Sequence, residues 1–301
     1  MSSLASIELP PDVGPAADGP AADGPPDRGP RRRLNASLIT GAGLALFLLL
    51  VALFGPLASP YDPSGINADA ALHGPSGGSI LGTDELGRDL FVRVAKGYQT
   101  AFEIGAGTVA LGLLVGVPLG LLAASAGPIV DNVIMRILDV LLSFPALILA
   151  VIVVTILGSG EESLILAIGI AYMPIIARVM RGSALSTRRE MYIDAVRSRG
   201  ASPLRIALRH TLPNSAGPLI VQASIFVAVA VLLGAGMSFV GLGVRPPTPE
   251  LGLMLASGRD YMTTSPWVVA APVGAIMLFA LAFTLIGDGL QSWLDPQSRT
   301  R

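Results

Sequence analysis

Two stretches of this chain gather side chains that could do chemistry. "GTDELGRD" places Asp84, Glu85, Arg88 and Asp89 close together. Three carboxylates at that spacing could hold a metal ion. Interleaved with an arginine, they could also pair with one another or meet another protein. Asp89 and Arg93 add a further candidate pair at i and i+4 if the segment is helical. The second stretch, "YIDAVRSRGASPLRIALRHTLPN" (Tyr192 to Asn214), has Arg197, Arg199, Arg205 and Arg209 but no lysine, with His210, two prolines and a glycine. It sits between two long apolar runs. His73 stands alone among glycines and prolines and reads as a solvated loop residue. Cysteine is absent, so there is no disulfide framework, thiol nucleophile or cysteine metal site. The only lysine, Lys96, lies in "VAKGY". A phosphate-binding loop needs Gly-Lys-Ser or Gly-Lys-Thr, so this chain does not bind ATP by that route.

The elements that must carry these groups are apolar. Of 301 residues, 52% are hydrophobic and only 14% charged, against about 25% charged in ordinary soluble domains. That deficit points to the bilayer as solvent. A formal net charge of −1 gives no general field for nucleic acid. Residues 1–33 are separate. "PAADGPAADGPP" is a short Pro, Ala, Gly and Asp repeat with almost nothing to bury, so the segment is expected to be a disordered tail. It lacks the basic start and immediate apolar core of a secretory signal.

A span needs about 20 apolar residues. Six runs qualify: Leu34–Leu57, Ile104–Ala126, Asn132–Leu157, Ser163–Met180, Gly217–Val240 and Trp267–Gly287. In the third, Arg136 and Asp139 share a helical face near the membrane surface, where they can pair or snorkel. The span middles carry no ionisable residue, which argues against an ion-coupled carrier. Their sparse polar groups are Thr155, Tyr172, Gln222, Ser224, Ser238 and Thr284. Gly112, Gly116 and Gly120 form a stripe that lets helices approach closely. Pro118, Pro145, Pro174 and Pro272 can kink their spans.

Arginine and lysine set the orientation. With the start of the chain in the cytoplasm, Arg28, Arg31–Arg33, Arg136, Arg178, Arg181, Arg188, Arg189, Arg197, Arg199, Arg205, Arg209, Arg299 and Arg301 face inward. Only Arg88, Arg93, Lys96, Arg245 and Arg259 face outward. Six spans then put both termini in the cytoplasm. Residues 58–102 become an extracytoplasmic loop, and residues 181–216 a cytoplasmic one.

That cytoplasmic loop has legible structure. Ser183 to Arg199 contains no helix breaker and suits a helix. Gly200 can cap it in a left-handed conformation. Ser202 is a helix N-cap with Pro203 at the first position. The second helix is expected to stop before Pro213. Leu204, Ala207, Leu208 and Thr211 fall on one stripe. So short a helix needs something to pack against. The residues alone leave two readings: a basic loop on anionic lipid, or a docking element for a cytoplasmic protein.

The loop resembles the Glu-Ala-Ala loop of the membrane subunits of bacterial ABC importers. Asp194, Ala195 and Val196 stand at the Glu-Ala-Ala positions. Gly200 stands at the glycine, His210 at a usually apolar position, and Leu212-Pro213 at the end. The spacing agrees throughout. Asp for Glu, Val for Ala and His for the apolar residue are departures. "ILGTDELGRDLFVRVAKG", "MSFVGLGVRPPTPELGLMLASGRDY" and "LIGDGLQSWLDPQSR" are similar to stretches of the permeases for dipeptides, oligopeptides and nickel. They match the shorter of the two paired subunits. "KGYQTAFEIG" lacks an arginine often found in that pattern.

The resemblance implies an all-α, multi-pass permease of the ABC importer type I fold, with six transmembrane helices. A cytoplasmic coupling helix lies between spans 4 and 5. It implies no catalysis and no cofactor in this chain. A second homologous permease completes the path, two ATPase subunits or domains hold ATP and Mg, and an extracytoplasmic binding protein delivers peptide. The same machine carrying nickel or another small solute is the alternative. The coupling contacts fall on Asp194, Ala195, Val196, Gly200, Leu204, Leu208, His210, Leu212 and Pro213.

Overall fold

Hydrocarbon offers no partner to a backbone N–H or C=O, so an apolar run in a bilayer must close its own hydrogen bonds. The computed structural model describes residues 35–59 and 61–294. The expected tail at residues 1–33 and the last arginines lie outside them. The described helices are α1 (Ala36–Ala58), α2 (Leu90–Ser125), α3 (Pro128–Leu142), α4 (Ala146–Leu157), α5 (Glu161–Thr187) and α6 (Met191–Ser198). Then follow α7 (Pro203–Ile206), a π-turn (Ala207–Thr211), α8 (Leu212–Asn214), α9 (Ala216–Phe239), α10 (Leu251–Gly258) and α11 (Trp267–Leu294). Five of these, α1, α2, α5, α9 and α11, are long and apolar enough to cross a membrane, and α3 with α4 passes that test as a bent pair.

Glycines set the central contact. A Cβ on Gly112 would lie 2.6 Å from Ile176, one on Gly116 2.8 Å from the Met173 carbonyl, and one on Gly120 2.3 Å from the Ala177 carbonyl. The expected small-residue stripe therefore packs α2 against α5. The order of these contacts runs the same way along both helices, so α2 and α5 are parallel. The chain must then return across the membrane between them, through α3 and α4. The third span, expected as one run over Asn132–Leu157 with Pro145 able to kink it, is a pair of helices bent just before Pro145. Its two helices meet at 87°. Pro145 cannot donate to a preceding carbonyl, and it biases Phe144 away from helical geometry. With 12 residues, α4 covers about 18 Å, short of the ~30 Å hydrocarbon core. The amphipathic α3 makes up the rest at the membrane surface. Arg136 and Asp139 do not pair. Asp139 meets Arg178 of α5, and Asp131 meets Arg181 at 2.5 Å.

The other helices alternate in direction. Near the start of α1, Gly41 lies against Leu285 and Ile286 of α11, and Asn35 Nδ2 donates to Ser292 Oγ at 2.7 Å. Gly217 faces Leu294, while Gly105 faces Val227 and Val231. One face of the bundle thus gathers the start of α1, the ends of α2, α5 and α11, and residues 188–215.

The second helix begins at Leu90, not Ile104, so the loop expected over residues 58–102 contracts to residues 59–89. Asp89 caps the helix by accepting from Val92 N at 3.0 Å, and takes the Ser79 hydroxyl at 2.6 Å. The charges that lowered the apparent hydropathy of its first turns are spent locally. Arg93 is buried, 3.3 Å from Asp84, and donates to the Pro63 carbonyl at 3.0 Å. Lys96 donates to Gln99 at 3.0 Å. Asp89 and Arg93 do not pair. Asp84 accepts from Arg88 Nε at 2.7 Å, and Glu85 meets Arg88 at 3.2 Å. Among the described residues no group of three carboxylate or histidine side chains could hold a metal ion. His73 is exposed, as expected.

The short apolar helix α10 is wedged between α9 and α11. A Cβ on Gly252 would come 2.2 Å from the Ala235 carbonyl. Glu250 caps it, accepting from Gly252 N at 2.9 Å and Leu253 N at 2.7 Å. Burial pushes the Glu250 carboxyl up, and those N–H groups with the Ser238 hydroxyl offset part of that rise.

If the α2–α5 contact organises the bundle, Gly120→Ala should destabilise the purified protein by about 1–3 kcal/mol through overpacking. Gly43→Ala on α1, where nothing lies within 4 Å, should be neutral or slightly stabilising. Thermal unfolding in detergent measures both, and equal midpoints would remove the glycine contact from its central place.

Candidate functional site

The segment between α5 and α9 is a folded unit, not a loose loop. The single helix expected over Ser183 to Arg199 is interrupted at residues 188–190. Glu190 adopts extended backbone (φ −71°, ψ 135°), which separates α5 from α6. Arg188 explains the break: its guanidinium donates to the Ala124 carbonyl at the end of α2. That contact anchors the unit to the α2–α5 pair.

Gly200 takes φ +81°, and its N–H donates to the Arg197 carbonyl at 2.9 Å. No atom lies within 4 Å of where its Cβ would be, so only backbone conformation favours glycine there. Ser202 accepts from Arg205 N at 3.4 Å, with Pro203 at the start of α7. These are the cap and turn expected from the sequence. The stop before Pro213 is not observed. The chain passes through the π-turn, where Leu212 N–H bonds to the Ala207 carbonyl, and continues into α8. The wider turn moves the Arg209 carbonyl clear of the Pro213 ring, which an α-turn would bring into collision.

The expected stripe divides. Ala207 and Thr211 are buried, while Leu204 and Leu208 are 68% and 53% exposed. Two other residues anchor the unit, Ile193 of α6 and Ile206 of α7, both buried. Ile193 was discernible as an apolar position three before Val196; Ile206 lies off the stripe and had no such signal. A clasp also escaped the sequence. Asn214 Nδ2 donates to the Tyr192 hydroxyl at 2.9 Å and to the His210 carbonyl at 2.6 Å, with the Tyr192 and His210 rings 6.4 Å apart. The structure therefore brings His210 and Asn214 back beside Tyr192 of α6. Asp194 and Ala195 are exposed on α6, Asp194 meeting Arg197 at 3.2 Å, and Val196 is half-buried.

Two apolar hollows flank this unit. One, of about 410 Å³, runs between the last turns of α2 (Val117, Leu121, Leu122) and Leu204, Leu208 and Leu212. The other, of about 690 Å³, opens between α2 and α9, with Val109, Leu113, Leu219 and Val227 in its walls. Of the polar span residues, Ser224 lines this second groove, and its hydroxyl is spent on the Ile220 carbonyl at 3.0 Å. Tyr172 packs edge-on against Phe226, with ring centroids 4.6 Å apart. The groove thus offers an apolar wall with no fixed charge among its lining residues.

Residues 116–300 match the family described as the inner membrane component of binding-protein-dependent transport systems. The chain is 44% identical to the di/tripeptide transport system permease protein DppC of Pseudomonas aeruginosa, over 85% of this chain and 87% of that one. It is 38% identical to the dipeptide transport system permease protein DppC of Alkalihalophilus pseudofirmus, over 88% of each chain. It is 39% identical to the glutathione transport system permease protein GsiD of Pectobacterium atrosepticum, over 90% of each. Among solved structures, a chain of the MetNI methionine ABC transporter in inward-facing conformations superposes with a TM-score of 0.54. That match is 21% identical and covers 69% of this chain and 97% of that one, so the shared property is the fold of an ABC importer permease. The bent third crossing and the helical unit at residues 188–215 lie within the matched region, and the chain belongs to the family of inner membrane components of binding-protein-dependent transport systems.

Proposed function

We propose that this chain is one of two membrane-spanning subunits of an ATP-driven importer for di- or oligopeptides. A second, homologous permease shares the path, and an extracytoplasmic binding protein delivers the cargo. ATP and Mg are held on two partner ATPase subunits or domains. Residues 181–216 are the cytoplasmic coupling loop, with Asp194, Ala195, Val196, Gly200, Leu204, Leu208, His210, Leu212 and Pro213 at or beneath the contact. Both termini are cytoplasmic, and residues 2–30 are dispensable for uptake, Arg31–Arg33 being kept for orientation.

One observation carries the coupling role: a unit footed on Ile193, Ile206 and Arg188 holds Leu204 and Leu208 out toward solvent. Exposed leucines on a firmly seated short helix suit a partner protein's apolar groove. The arginine excess on that side supports the cytoplasmic assignment. The relatives' names, di/tripeptide, dipeptide and glutathione permeases, support peptide cargo. The uncharged groove between α2 and α9 suits a path tolerant of varied side chains.

At φ +81°, valine in place of Gly200 would cost about 1–2 kcal/mol of backbone strain and re-aim α7. Exposed ion pairs are worth at most about 1 kcal/mol each. In the reconstituted complex, Gly200→Val should abolish the ATPase stimulation by loaded binding protein, while Arg199→Ala should change it less than twofold. If the segment instead only rests on anionic lipid, the ranking reverses. Orientation has its own test in this cysteine-free chain. Ser76→Cys should react with a membrane-impermeant thiol reagent on intact cells, and Ser186→Cys only after permeabilisation. The opposite pattern would place the coupling loop outside and end the proposal.

A further inference from the structure

The coupling unit contains one place where local chemistry and the observed winding disagree. The hydroxyl of Thr211 is fully buried and has no hydrogen-bond partner, one of three such buried side-chain groups among the described residues. A helical threonine ordinarily turns this hydroxyl back onto the carbonyl four residues earlier, here that of Ala207. In the π-turn that carbonyl instead accepts from Leu212 N–H. The winding expected from the sequence, an α-turn ending before Pro213, would let Thr211 bond to Ala207 through both its N–H and its hydroxyl. The π winding observed instead carries the helix through Pro213 and leaves the hydroxyl orphaned. Each form satisfies groups that the other leaves unmet.

We infer that residues 207–211 are a two-state joint, and that the coupling helix works by exchanging a π-turn for an α-turn. Removing one residue from the winding rotates the segment N-terminal to it by about 100° and shifts it by about 1.5 Å. That segment is α7, so the exchange re-aims Leu204 and Leu208 and lifts Ile206 from its buried seat, leaving Ile193, Arg188 and the Tyr192–Asn214 clasp to hold the unit in the α form. Both ends are built to absorb the change. Gly200 is free of neighbours at φ +81°, and Ser215, at φ −95° and ψ 0°, separates α8 from α9. The Tyr192–Asn214 clasp and the buried Ile193 hold α6 while α7 turns. Thr211 is thus a positioning residue that touches neither cargo nor nucleotide. Its hydroxyl favours the α winding, and local conflict of this kind in otherwise consistent sequences marks functional elements.

The inference rests on the coupling role proposed above, and its test separates the two. The complex is assembled with its ATPases and binding protein in lipid nanodiscs, with spin labels on Arg205→Cys of α7 and Ser186→Cys of α5. The 205–186 distance is measured without nucleotide and with vanadate-trapped ADP. The native sequence and Thr211→Ser, which keeps the hydroxyl, should change distance by several ångströms between the two conditions. Thr211→Val, of the same shape but without the hydroxyl, should shift the balance toward the π form by about tenfold. It should keep the nucleotide-free distance under trapping and lose about tenfold of the stimulated ATPase rate. If stimulation is normal in the native sequence but its distance is unchanged by trapping, the joint is wrong and the coupling role stands. A Thr211→Val complex that switches like the native one also overturns the joint. If the assembled native complex shows no stimulation by loaded binding protein, the coupling reading itself fails.

Discussion

The close approach of α2 to α5 is the constraint on which the rest of the molecule depends. At Gly120 the two backbones come so near that a Cβ would sit 2.3 Å from the Ala177 carbonyl. In lipid there is no hydrophobic drive to press helices together, so dispersion between closely fitted backbones supplies much of the attraction. The contact runs parallel, and parallel neighbours oblige the chain to recross between them. The bent α3–α4 pair meets that obligation. The same contact brings the end of α5 beside the end of α2, where Arg188 reaches the Ala124 carbonyl. The orientation of residues 188–215 follows from that junction.

Charge is placed where the dielectric permits it. Asp139 of α3 meets Arg178 of α5 half exposed, and Asp131 meets Arg181 in a more sheltered pair. Arg93 is buried, beside Asp84, at the start of α2, where the loop of residues 59–89 supplies its partners. The walls of the α2–α9 groove are left uncharged. A buried charge with one partner removed is costly, so these pairs act as fasteners at the two faces and leave the interior free for close helix packing.

The unit at residues 188–215 inverts the usual relation between a loop and its scaffold. Its base is fixed by Ile193, Ile206, Arg188 and the Tyr192–Asn214 clasp, and its outward face is apolar. Between α6 and α8 the backbone departs from α-helix at the Gly200 turn and at the π-turn.

Much of this was determined by the sequence itself. Apolar length marked six crossings, because the bilayer imposes one thickness on every span, and five of them are single long helices while the third is a bent pair. The glycine stripe announced a helix contact, since only glycine permits that approach. Gly200, Ser202 and Pro203 specified a turn and a cap through backbone stereochemistry that is local to each residue. Tertiary structure decided what depends on distant partners. The start of α2 at Leu90 was hidden because Arg93 and Lys96 look hostile to an apolar helix until Asp84, Pro63 and Gln99 are brought beside them. The break after α5 follows from a carbonyl 64 positions earlier in the chain. The helix runs on through Pro213 because a π-turn gives the ring room, and Asn214 secures it to Tyr192 across 22 residues. Each of these is a contact between groups far apart in sequence, whose free energy exists only once the bundle has assembled.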